Sequence, residues 1–276
     1  KLTRFYDKKY KDEAIFYDEL LIVNNFKEQH SQLQQKFLSK KTGDLKIFWV
    51  GASEAQDKSG FLQALNKAGK VTNFYNRNGE YGPLYEVSEL DWLQVREAND
   101  IALIEQVQHT YFSEGVDILI GQMWSHIFSK DALLKIRELG IPVINIAMDD
   151  RLPNLWMKKD GFQMGALGLG SGVDLTLTTS PEACKWYAAE NMSALFWPLA
   201  SDEKLFAQNN NIKKDIDILF IGNRYGIRGK LVNYLSKHDI SVTCYGGGWP
   251  NGYVNAEKNI ALSKRAKIIL GVGAIG

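Results

Sequence analysis

The residues best equipped for chemistry sit in loops that follow short apolar runs. Gly222-Asn223-Arg224-Tyr225-Gly226-Ile227-Arg228-Gly229-Lys230 follows the run Ile216 to Ile221 and leads into helix-favouring sequence. Its glycines let backbone N–H groups approach an anion, and a helix start there adds favourable potential. Arg224, Arg228 and Lys230 supply cationic donors suited to a diphosphate. The segment matches neither GxGxxG nor the Walker A pattern, so a solvent-facing turn with scattered arginines is the competing reading. Tyr245-Gly246-Gly247-Gly248-Trp249-Pro250 follows the next apolar run. There Gly247 and Gly248 permit close backbone approach to a ligand, and Tyr245 or Trp249 could stack on a base. A turn whose aromatics pack on the sheet edge explains the same residues.

Acid–base chemistry has three candidates, Asp149, Asp150 and His126. Asp149-Asp150-Arg151 lies just past the run Val143 to Ala147, and paired carboxylates can hold one member at a raised pKa for base work. The pair could also bind sugar hydroxyls or cap the helix that follows. His126, in Gln122-Met123-Trp124-Ser125-His126, lies past another apolar run, although a lone histidine is more often structural. Gly51 and Ser53, after the run Lys46 to Val50, complete the candidate set. His30, His109 and His238 fall within or at the ends of helical stretches and read as surface residues. GxSxG and HExxH are absent, which removes support for an α/β-hydrolase and for a zincin protease.

These loops need a scaffold that brings strand ends together. Apolar runs alternate with helix-favouring stretches from about Lys46 to Pro198 and again from Asp215 onward. That alternation predicts an α/β protein with parallel strands buried on both faces. In such sheets ligands bind outside the carboxyl ends of the strands, where every candidate loop lies. The run Leu93 to Glu114 reads as a helix. Gly140 ends another, and Ser180-Pro181-Glu182 opens a third with proline at its first position. The long segment Asn76 to Asp91 reads as a functional or mobile loop. Residues 1–44 read as amphipathic helices with apolar positions Ile15, Phe16, Leu20, Val23, Phe26, Leu33 and Phe37, packing as an arm. The expected domains are therefore 1–44, helical; 45–200, Rossmann-like; and 213–276, the opening of a second Rossmann-like lobe, incomplete in this chain.

The 33 basic and 32 acidic side chains leave no global charge to attract nucleic acid. Two cysteines, Cys184 and Cys244, have no metal-ligand spacing and fit a reducing compartment. No run reaches the ~18 apolar residues of a membrane-spanning helix. The expected location is the cytoplasm, with peripheral contact at the inner face of the membrane left open.

Taken together, three segments resemble GT-B glycosyltransferases of the CgeB (spore maturation protein) type, a group with C-terminal domains like those of the glycosyl transferases group 1 family. They are Ile141-Pro142-Val143-Ile144-Asn145-Ile146-Ala147-Met148-Asp149-Asp150; Leu177-Thr178-Thr179-Ser180-Pro181-Glu182 with Phe196-Trp197-Pro198-Leu199-Ala200; and Asp217 to Tyr225 with Arg228 and Tyr245 to Pro250. The resemblance implies two Rossmann-like lobes. It implies a nucleotide-sugar donor held by Gly222, Arg224, Tyr225, Arg228, Lys230, Tyr245, Gly247, Gly248 and Trp249, with no metal and no separate cofactor. It places the acceptor, a glycan, lipid or protein, beside Gly51, Ser53, His126, Asp149 and Asp150. It further implies an acidic residue in a Phe-Glu-containing segment, which this sequence does not contain. A non-catalytic two-lobed binding module and a sugar-nucleotide epimerase are the alternatives.

Overall fold

A computed structural model describes residues 2–31, 35, 43–58, 60–88, 90–200, 203–207 and 211–272. The chain divides into two units, Lys1–Leu199 and Ala200–Gly276. The first is built on a parallel sheet of six strands: β1 (Leu45–Val50), β2 (Gly69–Asn73), β3 (Ile118–Gly121), β4 (Val143–Ala147), β7 (Leu175–Thr178) and β8 (Ala194–Phe196), in the order β2-β1-β3-β4-β7-β8. A two-stranded hairpin, β5 (Lys158–Lys159) and β6 (Phe162–Gln163), stands apart from it.

The strands form because both faces are buried. Side chains alternate along β1, so Phe48 and Val50 pack with Phe74, Leu103, Val107, Phe128 and Leu133 on one face. Ile47 and Trp49 lie in clusters that take in Leu62, Leu65 and Ile146 on the other. Helices Trp92–Ser113 and Lys130–Arg137 cover the first face, and helix Phe61–Ala68 covers the second. Truncating Phe48 to Ala would cost about 3–5 kcal/mol, the usual range for a fully buried aromatic. Helix Trp92–Ser113 starts at a capping box. Asp91 accepts from the N–H groups of Leu93 and Gln94 at 2.8 and 2.9 Å, and the Gln94 side chain accepts from Asp91 N–H at 3.1 Å. Gly140, with φ +79°, follows helix Lys130–Arg137, and Pro181 opens helix Pro181–Ala188.

The second unit is a three-stranded parallel sheet, β9 (Ile216–Ile221), β10 (Thr243–Tyr245) and β11 (Ala266–Ile269), in the order β10-β9-β11. Helices Arg228–Ser236 and Ala256–Arg265 connect its strands. Ile216, Leu219, Leu262 and Ala266 form one core cluster, and Phe220, Cys244 and Trp249 another. In both units the first strand lies between the second and the third. Each sheet therefore has a topological switch point beside its first strand, at β1/β3 and at β9/β11.

Several local expectations need correction. The stretch after Gly51, read as a loop, contains the short helix Glu54–Lys58. The segment between β4 and β7 holds the β5–β6 hairpin and two 3-10 turns, Pro153–Trp156 and Ala166–Gly172. The N-terminal helices are Leu2–Asp12 and Glu19–Gln29, and the apolar stripe is buried only in part, through Ile15, Val23 and Phe26. Phe16 and Leu20 are exposed, while Tyr6 is the anchor, 5.0 Å from Trp156 and stacked 5.7 Å from Trp186. Leu33 and Phe37 lie outside the described residues. His30 is not a surface residue either, since its ring sits 4.7 Å from Phe26 and its Nε2 lies 3.4 Å from the buried Asp174 carboxylate.

Candidate functional site

In the second unit the two glycine loops are stitched to each other at the carboxyl ends of β9 and β10. Gly222 N–H donates to Tyr245 O, Arg224 N–H to Gly247 O, and Gly247 N–H to Asn223 Oδ1, each at 2.8 Å. The Trp249 indole N–H donates to Gly222 O at 2.8 Å. The approach is close enough to demand glycine at 246. A Cβ there would lie 2.4 Å from Gly222 O, and the backbone has φ +125°. Helix Arg228–Ser236 starts beside these loops with no side-chain cap. The N–H groups of such a first turn have no partner within the helix.

The predicted residues divide into two kinds here. Arg228 is bound by the protein's own backbone. It donates to Val272 O at 3.1 and 3.3 Å and to Asn223 O at 3.0 Å, with its guanidinium 4.3 Å from the Tyr225 ring centre. It thereby ties the loop after β9 to the segment after β11. Trp249 is buried against Phe220, so its ring is a wedge under the loops. Arg224 is exposed, lies over Trp249 at 5.1 Å, and has no carboxylate partner among the described residues. Lys230 and Gly248 are exposed and Tyr225 is half-exposed, while Gly222, Tyr245 and Gly247 are partly buried. Tyr253, which sequence reasoning missed, is the most exposed aromatic of this group.

At the switch point of the first unit the same position is filled by an acid. Asp57 is fully buried. Its Oδ2 accepts from Tyr81 OH at 2.8 Å and from Ala52 N–H at 3.2 Å, and its Oδ1 accepts from Gln122 Nε2 at 3.1 Å. Trp49 Nε1–H donates to Tyr81 OH at 2.7 Å. Burial, then the hydrogen bond to Asp57, pushes the Tyr81 phenol far above its ordinary value. No residue other than glycine fits at 51, where a Cβ would sit 2.1 Å from both Asp57 Oδ2 and Tyr81 OH. The space beside Gly51 is thus taken by the protein's own side chains. Ser53 is exposed, and its carbonyl accepts from Asp57 N–H at 2.8 Å. Asp57, Tyr81 and Gln122 escaped sequence reasoning because their partners are distant in the chain. The one available signal was for Gln122, a polar residue directly after the end of β3.

The acid–base candidates are not brought together. Asp150 is buried and accepts from Thr178 Oγ1 and Tyr187 OH, both at 2.6 Å, while its carbonyl accepts from Trp156 Nε1 at 2.6 Å. Rather than capping a helix, it ties β4 to β7, to helix Pro181–Ala188 and to the Pro153–Trp156 turn. Burial raises its pKa, outweighing the two hydroxyl donors that lower it. Asp149 is exposed. His126 is partly buried and lies against Trp124 at 6.2 Å, with Nδ1 enclosed and without a partner. Burial, and then the nearby Lys159 charge, lower its pKa and keep the imidazole neutral. Among the described residues no hydrogen bond or ion pair joins His126 to either aspartate.

Among the described residues no cluster of His, Cys, Asp and Glu could hold a metal ion, and no helix is long and apolar enough to cross a membrane. No family model and no curated protein matches the chain. Similar solved structures include a sucrose-phosphate synthase from Thermosynechococcus elongatus, at 13% identity over 82% of this chain and 71% of that one, with a TM-score of 0.45. Another is a UDP-GlcNAc 2-epimerase from Neisseria meningitidis bound to UDP-GlcNAc, at 12% identity over 83% and 73%, with a TM-score of 0.42. At these TM-scores neither likeness decides what the chain does.

Proposed function

We propose that this chain is a nucleotide-sugar-dependent glycosyltransferase of the GT-B type, with CgeB-like character, in which the second unit holds the donor. The observation that carries the reading is the stitched pair of glycine loops at the carboxyl ends of β9 and β10, next to the β9/β11 switch point. They stand beside an uncapped helix start and the exposed, carboxylate-free Arg224. A diphosphate placed there would meet backbone N–H groups, the positive end of the helix and one guanidinium. Arg224 and Lys230 are the proposed phosphate contacts. Arg228 shapes the loop from behind, and Tyr225 and Tyr253 offer ring faces to a base. Stabilising a departing diphosphate needs preorganised donors, and loops braced by cross-bonds supply them without reorganisation.

The acceptor base is assigned to His126 or Asp149. His126 is held neutral and so can take a proton at physiological pH. Asp150 is set aside for this role because both its oxygens are occupied. A glycan, lipid or protein hydroxyl is the proposed acceptor, and the cytoplasm the proposed location.

The test is a panel of nucleotides and nucleotide sugars screened by thermal shift, followed by turnover with and without added acceptor. Stabilisation by one nucleotide family, with sugar transfer only when acceptor is present, is the expected result. Isomerised donor in the absence of acceptor would instead make the protein an epimerase. No response to any nucleotide would remove the donor site.

A further inference from the structure

The tyrosines above the first unit's switch point are not used by the proposed reaction. The loop that carries them is long, and long loops are usually mobile, yet this one is fastened at both ends. Gln106 grips the backbone of Tyr75, accepting from its N–H at 3.1 Å and donating to its carbonyl at 2.6 Å. Asn99, fully buried, grips Leu84 in the same way at 2.9 and 2.8 Å. Between them Asn76 Oδ1 accepts from the N–H groups of Asn78 and Glu80 and closes the turn. The loop is drawn down onto Gly51, whose carbonyl lies 2.9 Å from where a Cβ of Gly82 would be.

This bracing presents three rings in a fixed arrangement. Tyr75 and Tyr85 are 42% and 45% exposed, and Tyr81 stands edge-on to Tyr75 at 6.1 Å. Tyr85 OH donates to Ala52 O at 3.3 Å, which sets its ring over the loop after β1. Exposed aromatics are ordinary when scattered, but two exposed rings and the half-buried Tyr81 held on one braced loop above the strand ends form a platform. Beneath them lies the Asp57 carboxylate, whose donors, Tyr81 OH, Ala52 N–H and Gln122 Nε2, are all neutral. Gln122 is 1% exposed, and its Oε1 has no partner. The buried side therefore carries a negative charge without a cation hydrogen-bonded to it, plus one open acceptor. Both disfavour an anionic ligand and favour groups that donate hydrogen bonds.

We propose that Tyr75, Tyr81 and Tyr85 form a saccharide subsite that takes an uncharged sugar ring. The C–H face of a pyranose carries slight positive charge and lies well on the negative face of an aromatic ring. Its hydroxyls are donors, and the exposed Ser53 stands on the same loop as Ala52 to receive them, next to Glu54, which opens helix Glu54–Lys58 and is ion-paired with Lys58 Nζ at 2.8 Å. Holding the rings in place beforehand removes the ordering cost that a flexible loop would incur on binding. If the chain is a glycosyltransferase, this subsite rests on that reading as its acceptor side, but the geometry stands without it.

The experiment is saturation-transfer NMR on the whole chain without nucleotide. The probes are maltose, cellobiose, lactose and N,N′-diacetylchitobiose, with glucose 6-phosphate and glucuronate as anionic counterparts. At least one neutral disaccharide should bind, with the anionic sugars weaker. Tyr85→Ala should weaken that binding about tenfold and Tyr85→Phe much less, because the ring rather than the hydroxyl is the platform. Tyr75→Ala provides a second variant should Tyr85→Ala not fold. Absence of binding by every neutral probe, preference for the anionic sugars, or undiminished binding by both alanine variants would overturn the subsite. Nucleotide binding, read separately, would be untouched by that failure.

Discussion

The two switch points share a topology and have opposite sign. At β1/β3 the space beside the strand ends is held by Asp57, a buried anion surrounded by neutral donors. At β9/β11 it is bridged by Arg228, a cation bound to the carbonyls of Asn223 and Val272 and to the face of Tyr225. In each case the central charge is spent on the protein's own structure. It braces a glycine loop and biases the potential of the crevice. The groups we propose to face ligands are the ones left over: tyrosine rings above the anion, Arg224 and an uncapped helix start beside the cation. A residue's type and position at a strand end thus select a region for function. Only its partners show whether it faces the ligand or the frame.

Changes to the anionic side should have the largest effects. Asp57→Ala strips Tyr81 OH, Gln122 Nε2 and Ala52 N–H of their buried acceptor and should destabilise the first unit by about 3–5 kcal/mol in urea unfolding. Gly51→Ala should act similarly, because the new methyl cannot coexist with Asp57 and Tyr81. A loss under ~1 kcal/mol for Asp57→Ala would mean that the network is not structural. On the cationic side, Arg228→Ala removes three hydrogen bonds near the surface and should cost about 1–3 kcal/mol in the second unit. Arg224→Ala should change stability by no more than about 0.5 kcal/mol, as expected for an exposed side chain outside such networks. Equal destabilisation by the two arginine variants would erase the division between frame and ligand residues.

Burial raises the Asp150 pKa in the folded protein. The folded state therefore binds more protons than the unfolded state between the ordinary aspartate value and the raised one. Stability should fall as pH climbs through that window and level off above it. Asp150→Asn should flatten this part of the profile, as read from unfolding midpoints of both proteins. An unchanged slope in the variant would show that Asp150 does not carry the dependence. A small effect is also expected at the exposed pair Lys267–Asp217 on the β11 side, where Lys267→Ala should shift stability by under ~1 kcal/mol.

What could be read from the sequence follows the range of the forces involved. Strands buried on both faces announce themselves as apolar runs, so β1, β4 and β9 appear within a residue of their expected bounds. Gly140 and Pro181 mark helix boundaries because their backbone constraints are local. The short helix Glu54–Lys58 was missed because five residues carry too little periodicity. The partners that decide function are long-range. Asp57 meets Gln122, Asp150 meets Tyr187, and Arg228 meets the carbonyl of Val272. No spacing rule links such pairs. For the same reason Trp249, which reads as a stacking platform, is buried against Phe220, and the exposed Tyr253 went unnoticed.

The most direct test of the donor assignment is nucleoside-diphosphate binding by calorimetry to the unmodified chain, Arg224→Ala and Asp57→Asn. The account predicts that one nucleotide class binds the unmodified chain, that Arg224→Ala weakens it about tenfold or more, and that Asp57→Asn leaves it within about twofold. Undiminished binding to Arg224→Ala, or a loss confined to Asp57→Asn, would place the nucleotide at the wrong switch point and contradict the account.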